Sequence, residues 1–411
     1  MTDTAFAPVT DEDFINFVAS PQLRRDPYPF YARMRATAPV HRLPIGLVWL
    51  ATTYDTVSEA LRDPRFSNDE RNASMYSIGS GYGETPFGSI AEAMMVFRDD
   101  PDHKRLRDLV QKAFTRRIIE NLRGRIGSLV DELLTPIVDR RDGELMSEFA
   151  YPLPVIVICE LLGIPAEDRE RFMEWEKHFA TRFEVQQLRT PEMEEQGNAA
   201  TVALRDYFDE LIESKRKQPS EDLISSLAAV EHQGDRLTHH ELLSTCMLLL
   251  LAGHETTANL IGNGTYALMR HRDQWGRLVD DPGLARLAVE ELLRFDSPVQ
   301  LIQRIALEEV RLGDETIEKG GVVGVMLGAA NRDERHFPDP DRLDIGRGDA
   351  PLVAFGAGIH FCLGAPLARL EAQLAFQALA KRAPALALGA EPEWRPTFVL
   401  RGLSRLPVTI D

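Results

Sequence analysis

The chain has 411 residues, of which 44% are hydrophobic and 27% charged, and its formal net charge is −17. This composition is that of an ordinary globular protein, and the strong negative charge argues against nucleic acid as a partner. Neither the N-terminal sequence MTDTAFAPVTDEDFINF nor the most apolar window, LLSTCMLLLLAG at 242–253, has the pattern of a signal peptide or a membrane span. We therefore expect a cytoplasmic protein that does not insert into a membrane.

Helical periodicity dominates the middle of the chain, and short strand-like segments cluster towards its two ends. In chain order the pattern predicts strands at 40–42 and 48–52, helices at 55–62, 102–114, 117–138, 153–162, 165–179, 192–217 and 238–270, and strands at 310–312, 315–317 and 322–326. The expected architecture is one mainly α domain with small β-sheets, spanning residues 1–411.

The helix at 238–270 differs from the others in being apolar almost all round, so we expect it to cross the interior. Thr238 and Glu241 form a capping box at its start. Its apolar run is followed by Ala252, Gly253, Glu255 and Thr256, which place two small residues, a carboxyl and a hydroxyl together. Two interpretations stay open: a groove that holds a small polar molecule and relays protons, or a packing glycine beside a threonine bonded to its own helix.

A second unusual stretch surrounds Cys362, where glycines at 356, 358 and 364 precede or begin an apolar helix. We expect these glycines to allow positive φ and a close approach to a flat partner. Amide N–H groups at the start of the helix favour a thiolate, which is a nucleophile or a metal ligand. His360 is poorly placed to act as a base for a nucleophile, whereas a metal held in a macrocycle needs no further protein ligand.

The pattern Phe355-x-x-Gly358-x-His360-x-Cys362-x-Gly364-x-x-Leu367-Ala368 resembles the haem-binding signature of the cytochrome P450 family. The segment at 252–256 resembles the oxygen-activation motif of the same family, with glutamate in place of the commoner aspartate. The resemblance extends over nearly the whole chain. It implies the cytochrome P450 fold, a single α-rich domain around a buried haem b (iron protoporphyrin IX), with Cys362 as the iron ligand and Phe355, Gly356 and Gly364 beside the cofactor.

The resemblance also assigns residues outside the two motifs. Four basic side chains correspond to the contacts of the haem propionates: His103, Arg107, Arg304 and His360. Glu291 and Arg294 look like the family's Glu-x-x-Arg pair, whose third partner would fall at Arg342. We interpret this ionic network as structural, because it would hold the loop of Cys362 in place.

The implied activity is that of a haem-thiolate monooxygenase, with Ala252, Gly253, Glu255 and Thr256 as its oxygen- and proton-handling residues. Such an enzyme inserts one atom of O₂ into a hydrophobic polyketide, terpenoid, steroid, fatty acid or drug-like molecule. Electrons would come from NAD(P)H through a ferredoxin reductase and a ferredoxin, and the protein would be a monomer. An H₂O₂-driven peroxygenase, a haem sensor and a thiol hydrolase built on Cys362 are the alternatives.

The resemblance also implies a substrate pocket, and the distribution of charge indicates a second surface. The substrate pocket would draw on the segments 68–95 and 172–188 and on apolar side chains elsewhere; its candidate residues are Ile90, Met94, Leu248, Val299, Leu301, Ile302, Val399 and Leu400. The glycine-rich loop at 77–89 is expected to be mobile. Residues 103–125 carry eight basic and two acidic side chains, which predicts either a docking face for an acidic electron carrier or an ordinary solvated helix surface.

Overall fold

The fold is predominantly helical in the computed structural model, which describes residues 7, 9–43, 47–74, 85–185, 188–232, 237–348 and 351–411. The helices within these residues are numbered α1 to α16 in chain order: Asp11–Ala19, Pro21–Arg25, Tyr28–Thr37, Tyr54–Arg62, Pro86–Ala91, Asp102–Val110, Arg116–Arg140, Pro152–Leu162, Arg169–Phe179, Pro191–Lys217, Leu223–His232, His239–Arg270, Arg272–Asp280, Ala285–Phe295, Leu327–Ala330 and Ala365–Arg382.

The strands are short and form four small sheets. In chain order β1 to β12 are Val40–Leu43, Val48–Ala51, Phe66–Ser67, Asp142–Glu144, Ile302–Ala306, Val310–Leu312, Glu315–Ile317, Val322–Val325, Leu386–Leu388, Glu393–Trp394, Leu403–Arg405 and Pro407–Ile410. The largest sheet has the order β1-β2-β8-β5-β3, in which only the β2–β8 pair is parallel. A three-stranded sheet, β4-β12-β9, and the pairs β6-β7 and β10-β11 complete the set.

Helix α12 is the central element of the largest hydrophobic core. Thr238 caps its first turn and Glu241 closes the capping box, as the sequence predicts. Every residue from 242 to 251 is buried, and the helix packs against α8, α10, α14 and α16. A helix that is apolar on all sides has no face that prefers water, which explains its interior position.

Most predicted elements are present with shifted ends. The helix expected at 102–114 stops at Val110 and continues as a 3₁₀ turn, Gln111–Ala113. The helix expected from 165 begins at Arg169, because Ala166–Asp168 form a separate 3₁₀ turn. Strand β5 was not predicted, although it lies next to β8 in the main sheet.

Arg401 ties the C-terminal part of the chain to two distant regions. Its buried guanidinium donates to the backbone carbonyls of Arg24 and Arg25 at 2.9 Å each, and Nε lies 2.6 Å from Asp296 Oδ1 at the end of α14. A buried cation with all its partners in place is costly to disturb. Within the described ranges, none of the helices combines the length and the apolar character that a bilayer crossing requires.

Candidate active site

The loop that leads to Cys362 is shaped by two glycines with positive φ. Gly356 has φ +68° and Gly358 φ +70°, and a Cβ on Gly358 would lie 2.5 Å from the carbonyl oxygen of Leu61 in α4. The expectation for Gly364 is wrong, since its φ is −80° and it caps the start of α16. The two upstream glycines therefore let the loop pass close to α4, while the third only leaves room beside the cysteine.

Cys362 lies in the turn that precedes α16, and the residue is exposed at the protein surface. The Cys362 amide donates to the Phe355 carbonyl at 3.0 Å, and the Arg369 guanidinium lies over the Phe355 ring at 4.5 Å. Burial raises the pKa of the Cys362 thiol, while hydrogen bonds from the amides of Gly364 and Ala365 act in the opposite direction without reversing the shift. Burial therefore favours the neutral thiol, and a bound cation would favour the thiolate.

The other two cysteines have a different environment. Cys159 and Cys246 are buried, and burial raises the pKa of Cys159 to about 12 and that of Cys246 further still. Both behave as small apolar core residues. Cys362 is therefore the only cysteine of the chain whose sulfur is available to a ligand.

Four basic side chains from separate elements meet beside this loop. The rings of His103 and His360 lie 4.1 Å apart, Arg304 is buried next to them, and Arg107 donates to the Phe361 carbonyl at 2.7 Å. The Nε2 atom of His360 is buried without a hydrogen-bond partner. Burial and the positive charge of the other three groups lower the pKa of His360 to about 2. His103 already lies 3.3 Å from Asp100, whereas Arg107 and Arg304 have no ion pair with a described residue, so an anionic ligand would be stabilised beside these two guanidinium groups.

A haem fits these observations. Its two propionate groups would supply carboxylates to the unpartnered His360 nitrogen and to the buried Arg304, whose one described hydrogen bond is to the Gln303 carbonyl at 2.8 Å. Burial lowers the pKa of Arg304 to about 10, so this guanidinium also gains from an anionic partner. Cys362, which is exposed, would then bind the iron.

Helix α12 presents three small or polar residues within its otherwise buried middle. Ala252 is exposed, Gly253 and Thr256 are partly exposed, and the Thr256 hydroxyl donates to the Ala252 carbonyl at 3.1 Å. A Cβ on Gly253 would lie 2.9 Å from Ile158 in α8. Gly253 thus has a packing role, whereas Ala252 and Thr256, one turn apart, form the accessible face of the helix.

Glu255 points away from that face into the protein. Its carboxylate is buried, is ion-paired with Arg395 and accepts a hydrogen bond from Asn259 Nδ2 at 3.2 Å. Beside it, His254 Nε2 lies 3.0 Å from Glu176 Oε2 of α9. Sequence reasoning missed Arg395, His254 and Glu176; the one available signal was a histidine placed inside an apolar helix.

The Glu291–Arg294 pair is buried and bidentate, with both N–O distances 2.8 Å. Its third partner is Arg347, whose Nε lies 3.1 and 3.2 Å from the two Glu291 oxygens. The prediction of Arg342 is wrong, because that side chain is exposed and its ion pair among the described residues is with Asp344, at 3.4 Å. Arg342 contributes its backbone carbonyl instead, which accepts from Arg294 and Arg347.

The candidate pocket residues separate into two groups. Ile90, Met94 and Leu248 are fully buried in the central core, and Leu301 packs into a different cluster with the N-terminal helices. The second group, which is only partly buried, consists of Val299, Ile302, Val399 and Leu400, with a β-bridge between Val299 and Leu400. Residues 75–84, which include most of the glycine-rich loop at 77–89, lie outside the described residues.

The basic side chains of the segment 103–125 also form two groups, one with ion pairs inside the protein and one without. Ion pairs within the protein occupy Lys104, Arg105, Arg123 and Arg125. No ion pair with a described residue involves Lys112, Arg116 or Arg117. Ile359 and Phe361, which flank His360, are among the most exposed large apolar side chains of the described structure.

Comparison with known proteins agrees with the geometry. A model of the family described as cytochrome P450 matches residues 47–280 and 283–382. The vitamin D(3) 25-hydroxylase of Pseudonocardia autotrophica is 46% identical over 94% of both chains, and the cytochrome P450 monooxygenase PikC of Streptomyces venezuelae is 44% identical over 93% of this chain and 91% of its own.

Among solved structures, ligand-free CYP164A2 of Mycobacterium smegmatis superposes with a TM-score of 0.90 at 39% identity, over 98% of this chain and 100% of its own. The family implies a haem cofactor, a small substrate and a redox partner. Its relatives are named monooxygenases and hydroxylases, so the protein is an oxidoreductase. The chain is a member of the cytochrome P450 family.

Proposed function

We propose that the protein is a haem-thiolate monooxygenase that inserts one atom of O₂ into a hydrophobic substrate. The observation that carries this proposal is the pairing of one accessible cysteine, Cys362, with a basic cluster that contains an unpartnered buried nitrogen on His360. The cofactor assigned to this site is haem b, with Cys362 as the iron ligand. When bound, it supplies the binding and reductive cleavage of O₂.

The chain's own residues would bind the cofactor and manage protons. Arg304, His103 and His360 hold the propionates, and Arg107 fixes the carbonyl of Phe361 next to the ligand loop. Thr256 Oγ1, at the accessible face of α12, holds a proton that Glu255 replenishes. Because Glu255 points away from this face and is paired with Arg395, its carboxylate has to turn towards Thr256 before it can serve that residue.

The substrate we assign is a largely apolar molecule. Val299, Ile302, Val399 and Leu400 are partly exposed and apolar, which favours burial of a hydrocarbon framework. The relative named vitamin D(3) 25-hydroxylase supports the same class of substrate.

Electrons would come from NAD(P)H through a ferredoxin and its reductase. Lys112, Arg116 and Arg117 offer positive charge without an ion pair to a described residue. Phe361, whose carbonyl accepts a hydrogen bond from Arg107 of the same basic segment, offers an exposed apolar side chain. Acidic electron carriers are attracted to such a surface, and the attraction weakens with salt.

Carbon monoxide binding to the reduced protein tests the proposal. The wild type and the control variant Cys159→Ala should both give the strongly red-shifted absorption band of thiolate ligation. Cys362→Ser should lose this band while remaining folded by circular dichroism. A wild-type protein that binds haem without the band would overturn the assignment of Cys362. Turnover with and without reductase and ferredoxin then separates a monooxygenase from an enzyme driven by H₂O₂.

Charge reversal tests the docking surface. Arg116→Glu should slow reduction by ferredoxin at low salt and have less effect at high salt. Arg140→Glu is the control, because it lies on the same helix, α7, about 36 Å away along the axis. Equal reduction rates for both variants and the wild type would contradict docking at this surface.

A further inference from the structure

Three buried side chains, Glu176, His254 and Glu255, form a charge cluster with the partly buried Arg395 behind the accessible face of α12. They come from α9, from α12 and from the segment that follows β10. The side chains of Glu176, His254 and Glu255 are at most 4% exposed, and ligand atoms of these three lie within 4.8 Å of one another. Such a group is costly to bury unless its charges balance.

The two hydrogen-bond acceptors that face His254 require one proton more than a neutral imidazole and an ionised Glu176 carry together. Its Nδ1 lies 3.4 Å from the Leu250 carbonyl oxygen, and its Nε2 lies 3.0 Å from Glu176 Oε2. A carbonyl and a carboxylate are both acceptors, whereas a neutral imidazole has only one N–H to donate. Either the imidazole carries both protons or the Glu176 carboxyl carries one.

The charge balance of the cluster also indicates that the Glu176–His254 pair carries one extra proton. Glu176 and Glu255 carry two negative charges and Arg395 one positive charge, so one proton makes the cluster neutral, whereas a divalent cation would leave an excess. Burial lowers the pKa of His254, but the Glu176 and Glu255 carboxylates outweigh it and raise that pKa above its usual value. Burial likewise raises the pKa of Glu176. Tyr151, whose ring lies 6.4 Å from His254, is uncharged because burial raises its pKa strongly.

The cluster also contains an acceptor for this proton. Glu255 Oε2 is buried without a hydrogen-bond partner, 4.0 Å from His254 Nε2, and Glu176 Oε1 is unpartnered as well. The other Glu255 oxygen is held by Arg395 and Asn259. A small rotation of the His254 or Glu255 side chain would bring Glu255 Oε2 within hydrogen-bond distance of the imidazole.

We propose that Glu176 and His254 hold one proton between them and pass it to Glu255, which supplies Thr256. In this step the Nε2–H bond of His254 breaks and an O–H bond forms at Glu255 Oε2. His254 becomes neutral and keeps its Nδ1–H on the Leu250 carbonyl, and the pair regains its proton from solvent. Glu176 and His254 are positioning residues that act through Glu255, so this inference rests on the role proposed for Glu255.

The measurement is the amount of product per NAD(P)H consumed, as a function of pH, for the holoenzyme with its redox partners. In the wild type this ratio should stay high while the pair is protonated and fall as the pH rises through the raised pKa of His254. His254→Gln and Glu176→Gln should lower the ratio by roughly tenfold and remove its pH dependence. The control is His41→Gln in strand β1, at the edge of the largest sheet, which should behave as wild type.

Nuclear magnetic resonance of ¹³C-histidine in the reduced carbon-monoxide complex supplies a readout independent of turnover. The signal absent from His254→Gln identifies His254, and it should not titrate at the ordinary histidine pKa of about 6.5. Titration at or below that value would overturn the inference. If Glu255→Gln uncouples the enzyme while His254→Gln and Glu176→Gln do not, the role of the Glu176–His254 pair is refuted and the proposed role of Glu255 is retained. If Glu255→Gln leaves coupling unchanged, the proposed role of Glu255 fails.

Discussion

Replacing Arg347 by alanine should destabilise the protein far more than replacing Arg342, the residue that the sequence pattern favoured. Arg347 places its Nε between the two oxygens of the buried Glu291 and donates to the carbonyls of Pro338, Asp339 and Arg342 at 2.6, 3.1 and 3.0 Å. Its side chain is 15% exposed and that of Glu291 is 3% exposed.

The size of the effect follows from these contacts. Breaking a buried ion pair by removing one partner costs about 3–5 kcal/mol, and Glu291 keeps Arg294, so the lower end, about 3 kcal/mol, applies to Arg347→Ala. Arg342→Ala removes an exposed pair worth about 0–1 kcal/mol. For a chain of this length, an unfolding entropy of about 2.1 cal/mol/K per residue makes 3 kcal/mol equivalent to a fall in Tm of roughly 3–4 °C.

Thermal unfolding of the two variants, followed by circular dichroism and by haem absorbance, measures this difference. Arg347→Ala should also release haem at a lower temperature, because the network supports the segment that precedes the cysteine loop. Equal shifts for the two variants, or a larger shift for Arg342→Ala, would refute the assignment of Arg347 as the third member of the network.

Three further outcomes are expected. Thr256→Ala should release more peroxide per electron consumed, and unchanged coupling would contradict its part in proton delivery. Gly358→Ala should impair folding and haem binding because its Cβ would meet the Leu61 carbonyl at 2.5 Å, whereas Gly348→Ala, with positive φ but open space around it, should cost only about 1 kcal/mol in denaturant unfolding. Burial raises the pKa of Glu144, but hydrogen bonds from backbone amides outweigh burial and lower that pKa below its ordinary value. The stability that the Glu144 carboxylate contributes is therefore present above the ordinary pKa of about 4.3 and is lost as the pH falls through the lowered pKa. Glu144→Gln should make Tm less sensitive to pH in this acid range, and an unchanged dependence of Tm on pH would contradict this.

The central helix could be predicted from the sequence because its signals are local. Thr238 and Glu241 mark its start, and an uninterrupted apolar run marks its burial. Strand β5 was missed because its partners, β8 and β3, lie elsewhere in the sequence. A strand of five residues between two others has little local signal, since the sheet and not the segment determines its structure.

The candidate site could likewise be predicted only where its signals are local in the sequence. The residues around Cys362 follow a fixed spacing, which sequence can reveal, whereas the partners of Glu255 and Glu291 depend on how distant segments meet. Arg395 is 140 positions away from Glu255. Arg342 and Arg347 lie only five positions apart, so a sequence pattern cannot decide which guanidinium turns inward.

The contacts of Arg395 and Arg401 have a consequence for biosynthesis. Glu255 gains its counter-charge from Arg395, and the N-terminal helices gain their link to α14 from Arg401, so both contacts depend on residues that are translated well after their partners. A growing chain would thus carry an uncompensated acid in its central helix until those residues leave the ribosome. Assembly of this interior, and stable retention of its prosthetic group, should accordingly wait until residues 395–401 have been synthesised.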